Sequence, residues 1–175
     1  MKRLGLFLDT VILLGLLLGL FYSSSQPYYK QDLRGTISRY VDADFLEQKW
    51  QHVSFQYAHK EISVEDSGAA GLIEFFIRKA THFVTFAVLA FMFYRLLARF
   101  TAYSTALPWS GFLSVLTALL DEWHQTFTPD RTGMLTDVLL DTTGIVTMMI
   151  LIVFRRILRR GPRKKRDKIR LGQPS

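Results

Sequence analysis

Four long apolar runs decide what this chain can fold into. A helix that crosses a hydrocarbon core about 30 Å thick needs about 20 mostly apolar residues, each adding about 1.5 Å. Residues 4–22, 80–98, 107–127 and 137–154 meet that demand. The first run is clean from Val11 onward, and the second carries Phe83, Phe86, Phe91 and Phe93. The third turns polar in its final third, and the fourth is polar only near its start. The expected fold is an all-α membrane protein: a four-transmembrane-helix bundle over residues 1–154, followed by a basic tail over 155–175. Met1-Lys2-Arg3 before an apolar run also suits a cleaved signal peptide. Ser23-Ser24-Ser25-Gln26 is a poor cleavage site, so a retained helix is expected.

Basic residues in the short flanks set the expected orientation. Lys2 and Arg3 put the N-terminus in the cytoplasm, and Arg95 and Arg99 put the second connection there. Arg155, Arg156, Arg159 and Arg160 put the C-terminus there. The segment 28–78 and the loop 128–136 then face outward. The net charge of +7 comes mostly from the tail, where residues 155–170 hold ten Lys and Arg against one Asp. Such a tail can be a nucleic-acid arm. Beside a spanning run, and with no nucleic-acid-binding fold in sight, it reads as an anchor on anionic lipid. The chain has no cysteine, which excludes disulfides, thiol catalysis and Cys-ligated metals.

The outward segment is too long to be structureless. Leu33, Ile37, Tyr40 and Val41 fall on one face of an amphipathic helix suited to the membrane surface. Val53, Phe55 and Tyr57, then Ile62 and Val64, alternate on either side of Ala58-His59-Lys60-Glu61, which reads as a short hairpin with a four-residue connection. Ser67-Gly68 breaks the chain before the second span.

The polar residues inside the spans carry the chemistry. By helical rise, Asp141 lies about 20 Å from Phe154, Asp121 about 21 Å from Leu107, and His82 about 24 Å from Ala98. All three fall in the outer third of the core, which points to one shared site. Lys79 and His82 share a helix face, as do Asp121, His124 and Gln125, and Asp137, Asp141 and Gly144. Glu122 sits about 100° round from Asp121, so only one of the two is expected to point straight into the bundle. Arg131 follows Pro129 and Asp130 in the turn above the same region.

Each residue has a plainer reading. Asp137 can be an N-cap, and His82 and His124 can be interfacial histidines. Ser24, Ser25 and Gln26 are expected only to cap the first span. Asp9 is expected at the inner interface, and Trp109 and Trp123 are expected to anchor the two ends of the third span. Asp141 is harder to dismiss, because a lone carboxylate one turn inside needs a proton or a cationic partner such as Arg131, Lys79 or His82.

Asp121-Glu122-Trp123-His124-Gln125, Pro129, Arg131, Asp137, Asp141 and Gly144 together resemble the VanZ-like family of bacterial membrane proteins. Ser24-Ser25-Gln26 and Arg78-Lys79-Ala80-Thr81-His82-Phe83 agree with it. Asp130 departs from the pattern, which has a small residue before the Arg. The resemblance implies a multi-pass protein of the bacterial plasma membrane and cell envelope, in a family whose named member is linked to teicoplanin-type glycopeptide antibiotic resistance.

Two classes of function follow. In the first, Lys79, His82, Gln125, Arg131, Asp137 and Asp141 form a site for an anionic lipid headgroup or a lipid-linked wall precursor, with the cations on phosphate. In the second, Asp121, Glu122, His124 and Asp141 are candidates for catalysis in a membrane-embedded hydrolase or transferase. A divalent cation is an option there, held by Asp121, Glu122, His124, Asp137 and Asp141. A transporter ranks last, because the inner half of each span lacks a polar path.

Overall fold

The computed structural model describes residues 2–58 and 60–160. Helices α1 (Lys2–Ser24), α2 (Arg34–Tyr40) and α3 (Ala43–Trp50) lead to strands β1 (Ser54–Tyr57) and β2 (Lys60–Ser63). Helices α4 (Val64–Leu97), α5 (Tyr103–Gln125) and α6 (Leu135–Arg160) complete the chain. Among the described residues, α1, α4, α5 and α6 are long and apolar enough to cross a membrane.

The second span begins far earlier than its apolar run suggests. Ser63 caps α4, its hydroxyl accepting from the Asp66 amide at 3.2 Å. Gly68 then kinks the helix at φ 71° instead of ending it. Only glycine takes that left-handed backbone at little cost, so the break expected at Ser67-Gly68 becomes a bend. Elements α2, α3 and β2 pack on α4. The third and fourth spans also run longer than 107–127 and 137–154, except that Phe127 lies past the end of α5.

The outward segment holds more helix than its periodicity implies. The amphipathic helix appears as α2, with Ile37 as its buried residue. A second short helix, α3, follows because Asp42 accepts from the Phe45 amide at 3.1 Å and starts a new turn. The hairpin is present, but its connection spans positions 58 and 59 and not four residues, since Tyr57 already pairs with Lys60. Val64 belongs to α4 and not to the strand. Residues 161–175 of the expected basic tail lie outside the described residues, while Arg155, Arg156 and Arg159 continue α6.

Helices α4, α5 and α6 pack against one another, and α1 lies against α4 and α5. Leu13, Phe86, Leu89, Met92, Val138 and Ile145 form the apolar centre. Lipid tails are as apolar as these side chains, so close backbone approach and polar contacts must hold the bundle. Helix α5 supplies a face of small residues, with Ala106, Ser110, Gly111, Ser114 and Ala118 all buried. On α6, a Cβ at Gly144 would lie 2.3 Å from the Phe83 carbonyl oxygen. That crossing sets His82, next to Phe83, beside Asp141, one turn before Gly144.

At the other end of the bundle, Asp9 is 1% exposed. Arg95 Nη2 donates to Asp9 Oδ1 at 2.6 Å, and Arg99 Nε donates to Oδ2 at 2.8 Å. An acid in a spanning helix recruits both basic residues at the end of α4, which pins the peripheral α1 to the bundle.

Two outcomes test these contacts by thermal unfolding in detergent. Gly144→Val should destabilise the bundle by about 1–3 kcal/mol, because the two backbones must separate. Removing both Arg95 and Arg99 strands Asp9 and should cost about 3 kcal/mol or more, well beyond the loss from Asp9→Asn with both arginines kept.

Candidate functional site

The polar residues gather where α4, the end of α5, the start of α6 and the tip of α1 meet. Helix α4 contributes Glu74, Arg78, Lys79 and His82 along one face. They form three layers.

The outermost layer centres on Glu74, which is 2% exposed within an otherwise apolar turn. Tyr28 donates its hydroxyl to Glu74 at 3.1 Å. Arg78 lies 3.4 Å from Glu74 and Arg34 lies 3.7 Å from it. Arg34 also pairs with Asp32 at 2.6 Å and holds that exposed carboxyl down at about 2. Burial and the nearby Glu74 charge raise the Tyr28 phenol above its ordinary value.

In the middle layer Asp137 is not a cap but the third residue of α6, with its side chain turned to other elements. Lys79 Nζ donates to its Oδ1 at 2.5 Å, and the Tyr57 hydroxyl donates to the same oxygen at 2.6 Å. Lys79 also sits 4.5 Å from the centre of the Tyr57 ring. Burial, then the bond to Asp137, push the Tyr57 phenol well above its usual range, so it stays a donor. Arg131 lies beside this layer. Its Nε donates to the Gln26 carbonyl at 3.2 Å, its Nη1 to Gln125 Oε1 at 3.3 Å, and its Nη2 to the Gln31 side chain. Every one of these acceptors is neutral, and no carboxylate lies within ion-pair distance of Arg131 among the described residues. Burial, followed by the Arg78 charge, lowers its pKa from the ordinary guanidinium value.

The deepest layer holds three buried carboxylates. Asp121 accepts from Ser24 Oγ at 2.5 Å and from Gln125 Nε2 at 2.9 Å. Ser24 is therefore a partner of the site and not simply a cap of the first span. Glu122 is buried as well as Asp121, on a different side of α5. It accepts from the Met134 amide at 2.9 Å through Oε2, while Oε1 has no partner among the described residues. Asp141 is 0% exposed, and neither of its oxygens is bonded. His82 Nδ1 stands 3.5 Å from Asp141 Oδ1, too far for a proper hydrogen bond. His82, Asp121 and Glu122 each offer a donor atom, and these atoms lie within 4.8 Å of one another.

Lys79, His82, Gln125, Arg131, Asp137 and Asp141 thus come together, with Asp121 and Glu122 beside them. His124 stands apart. Its ring lies 4.5 Å from that of Phe21, and its Nε2 is 3.0 Å from Ser25 Oγ, on the α1 side. The sequence reading missed Tyr28, Arg34, Tyr57 and Glu74. Glu74 carried a signal, since it interrupts an apolar run one turn before Arg78. Tyr57 carried none, because its partner Asp137 lies 80 residues away.

Above the deepest layer opens a cleft of about 340 Å³. Arg34, Lys60, Arg78, Lys79 and Arg131 line it, against the carboxylates of Glu74, Asp130 and Asp137. His82 and Gln125 also reach its wall. The cleft is suited to an anion, and the carboxylates beneath it to a proton or a cation.

Comparison with curated proteins and with solved structures returned no match. A family model does match, over residues 10–158, which take in the whole site and all but the ends of α1 and α6. The chain therefore belongs to the VanZ/LLP1 family.

Proposed function

We propose that this membrane protein binds the phosphate-bearing headgroup of an anionic lipid, or of a lipid-linked wall precursor, in a cleft on the outer face of the bacterial plasma membrane. The positive-inside rule supports that orientation, because Arg3, Arg95, Arg99 and the Arg155–Arg159 cluster all lie at the end of the bundle away from the cleft. The observation that carries the reading is Arg131, a half-buried guanidinium surrounded by neutral acceptors on the wall of a cationic cleft. A guanidinium without a carboxylate partner, in a setting poorer in water than bulk, favours an incoming phosphate oxygen. The cleft volume falls in the usual range for small-molecule sites. A contribution to teicoplanin-type resistance would follow from holding a wall precursor at the surface where the antibiotic acts.

One observation favours a second reading, a hydrolase or transferase acting on the same phosphate. Glu122, Asp141 and His82 keep polar atoms without partners just below the cleft. An unpaired carboxylate and imidazole are the groups that general acid–base chemistry needs. In that reading the lipid is a substrate as well as a ligand.

Both readings are tested on purified protein in nanodiscs of phosphatidylcholine doped with phosphatidylglycerol or a polyprenyl phosphate. Arg131→Ala should weaken binding of the anionic lipid by about 10- to 100-fold, the worth of one charge-assisted bond of about 1.5–3 kcal/mol. Equal affinity of wild type and variant would sink the headgroup reading. Release of inorganic phosphate from the polyprenyl phosphate, abolished in Asp141→Asn, is the outcome expected of the enzyme. Binding without release leaves the first reading standing alone.

A further inference from the structure

We infer that the carboxylate layer under the cleft is a site for one divalent cation of the Zn²⁺ or Mn²⁺ type, ligated by His82, Asp121 and Glu122. The inference stands apart from the headgroup reading, because it concerns groups below the cleft wall and is measured without lipid.

Charge is the first argument. Asp121, Glu122 and Asp141 are 6%, 5% and 0% exposed, on helices long and apolar enough to span a bilayer. Nearby cations are committed elsewhere. Lys79 is bonded to Asp137, and Gln125 stands between Arg131 and Asp121. Among the described residues His82 is the single basic group at ion-pair distance from any of the three acids, at 3.5 Å from Asp141. Buried carboxylates with so little compensation call for added positive charge or for protons.

Geometry is the second. The donor atoms of His82, Asp121 and Glu122 lie within 4.8 Å of one another, about the span across an ion whose bonds are about 2.0–2.6 Å long. Glu122 Oε1 is buried and has no other partner among the described residues, so it is free to ligate. Asp121 accepts one bond at each oxygen, from Ser24 and from Gln125, and each oxygen keeps a second lone pair. Those two bonds fix the direction of Asp121 as outer-shell contacts fix a metal ligand. His82 completes the pattern. Its Nδ1 lies 3.5 Å from Asp141 Oδ1, and with Nε2 on the ion a small turn of the ring would close that gap and make Asp141 the outer carboxylate that orients the imidazole. This gives the unbonded Oδ1 of Asp141 a task.

Donor chemistry selects the ion. One imidazole and two carboxylates suit a borderline ion better than Mg²⁺ or Ca²⁺, which take oxygen alone. Three protein donors leave a position open toward the cleft wall, where His82 is already exposed to the ligand space.

The test uses the full chain in detergent, tag removed and metal stripped with a chelator, titrated with ZnCl₂ or MnCl₂ alone. One equivalent should bind, and His82→Gln or Glu122→Gln should each weaken it at least ten-fold, while Asp44→Asn on the exposed α3 should leave it unchanged. The Mn²⁺ form of the wild type should show nitrogen hyperfine coupling that disappears in His82→Gln. Thermal unfolding checks that each variant is folded, and the spectrum of the wild type needs no variant at all. Wild-type protein that binds no stoichiometric ion would overturn the site and leave protonated acids in its place. So would binding of one equivalent without nitrogen coupling.

Discussion

Ionisable side chains on spanning helices must settle their charge among themselves, and this bundle does so differently at its two ends. Removing a carboxylate from water costs several kcal/mol unless a partner or a proton offsets it. Asp9 is closed by Arg95 of α4 and Arg99 just past its end, which satisfy both of its oxygens. Asp141, equally buried, has an imidazole at 3.5 Å and no hydrogen bond. The first arrangement is complete and structural. The second is incomplete, and it sits directly under a cleft. This difference between two buried acids separates a clamp from a site.

The backbone makes the second arrangement possible. Close contact of α4 and α6 at Gly144 and Phe83 puts His82 next to Asp141, and the cap and bend at Ser63 and Gly68 extend α4 beyond the span. That extension carries Glu74, Arg78 and Lys79 upward on the same face as His82. The segment between α1 and α4 packs against it, bringing Tyr28, Arg34 and Tyr57 over the cleft. Local sequence accidents therefore become one continuous polar column.

How much of this was legible follows from the range of the interactions. The spans were readable because apolar length is a local property, and so was the shared depth of His82, Asp121 and Asp141, which needs only a helical rise. The grouping of Lys79 with Asp137 and Asp141 was legible in outline, since few cations were available to them. The extent of α4 was not, because apolar length marks the span and says little about a helix continuing beyond it. The role of Ser24 was hidden for another reason: a serine at a helix end reads as a cap until its partner is known, and Asp121 lies 97 residues away. The burial of Asp9 was hidden because the arginines that neutralise it lie 86 and 90 residues away. Helical spacing also put His124 with Asp121, and both meet the tip of α1, at Ser25 and Ser24, while His124 does not join the carboxylate layer.

Gln125 has the most consequential position in the column. Its amide donates downward to Asp121 and its carbonyl accepts from Arg131 above. A direct Arg131–Asp121 pair would be the obvious contact for two opposite charges at this depth, and it would cancel both. With a neutral amide between them, the two charges do not touch, and Arg131 stays on the cleft wall while Asp121 stays in the layer beneath. The two layers then present opposite charges to one small volume. In the headgroup reading a phosphate would match this polarity in reverse, with its oxygens on the guanidinium and, were a cation held by the carboxylates, one oxygen meeting it. Gln125 thus touches both layers while carrying no charge of its own.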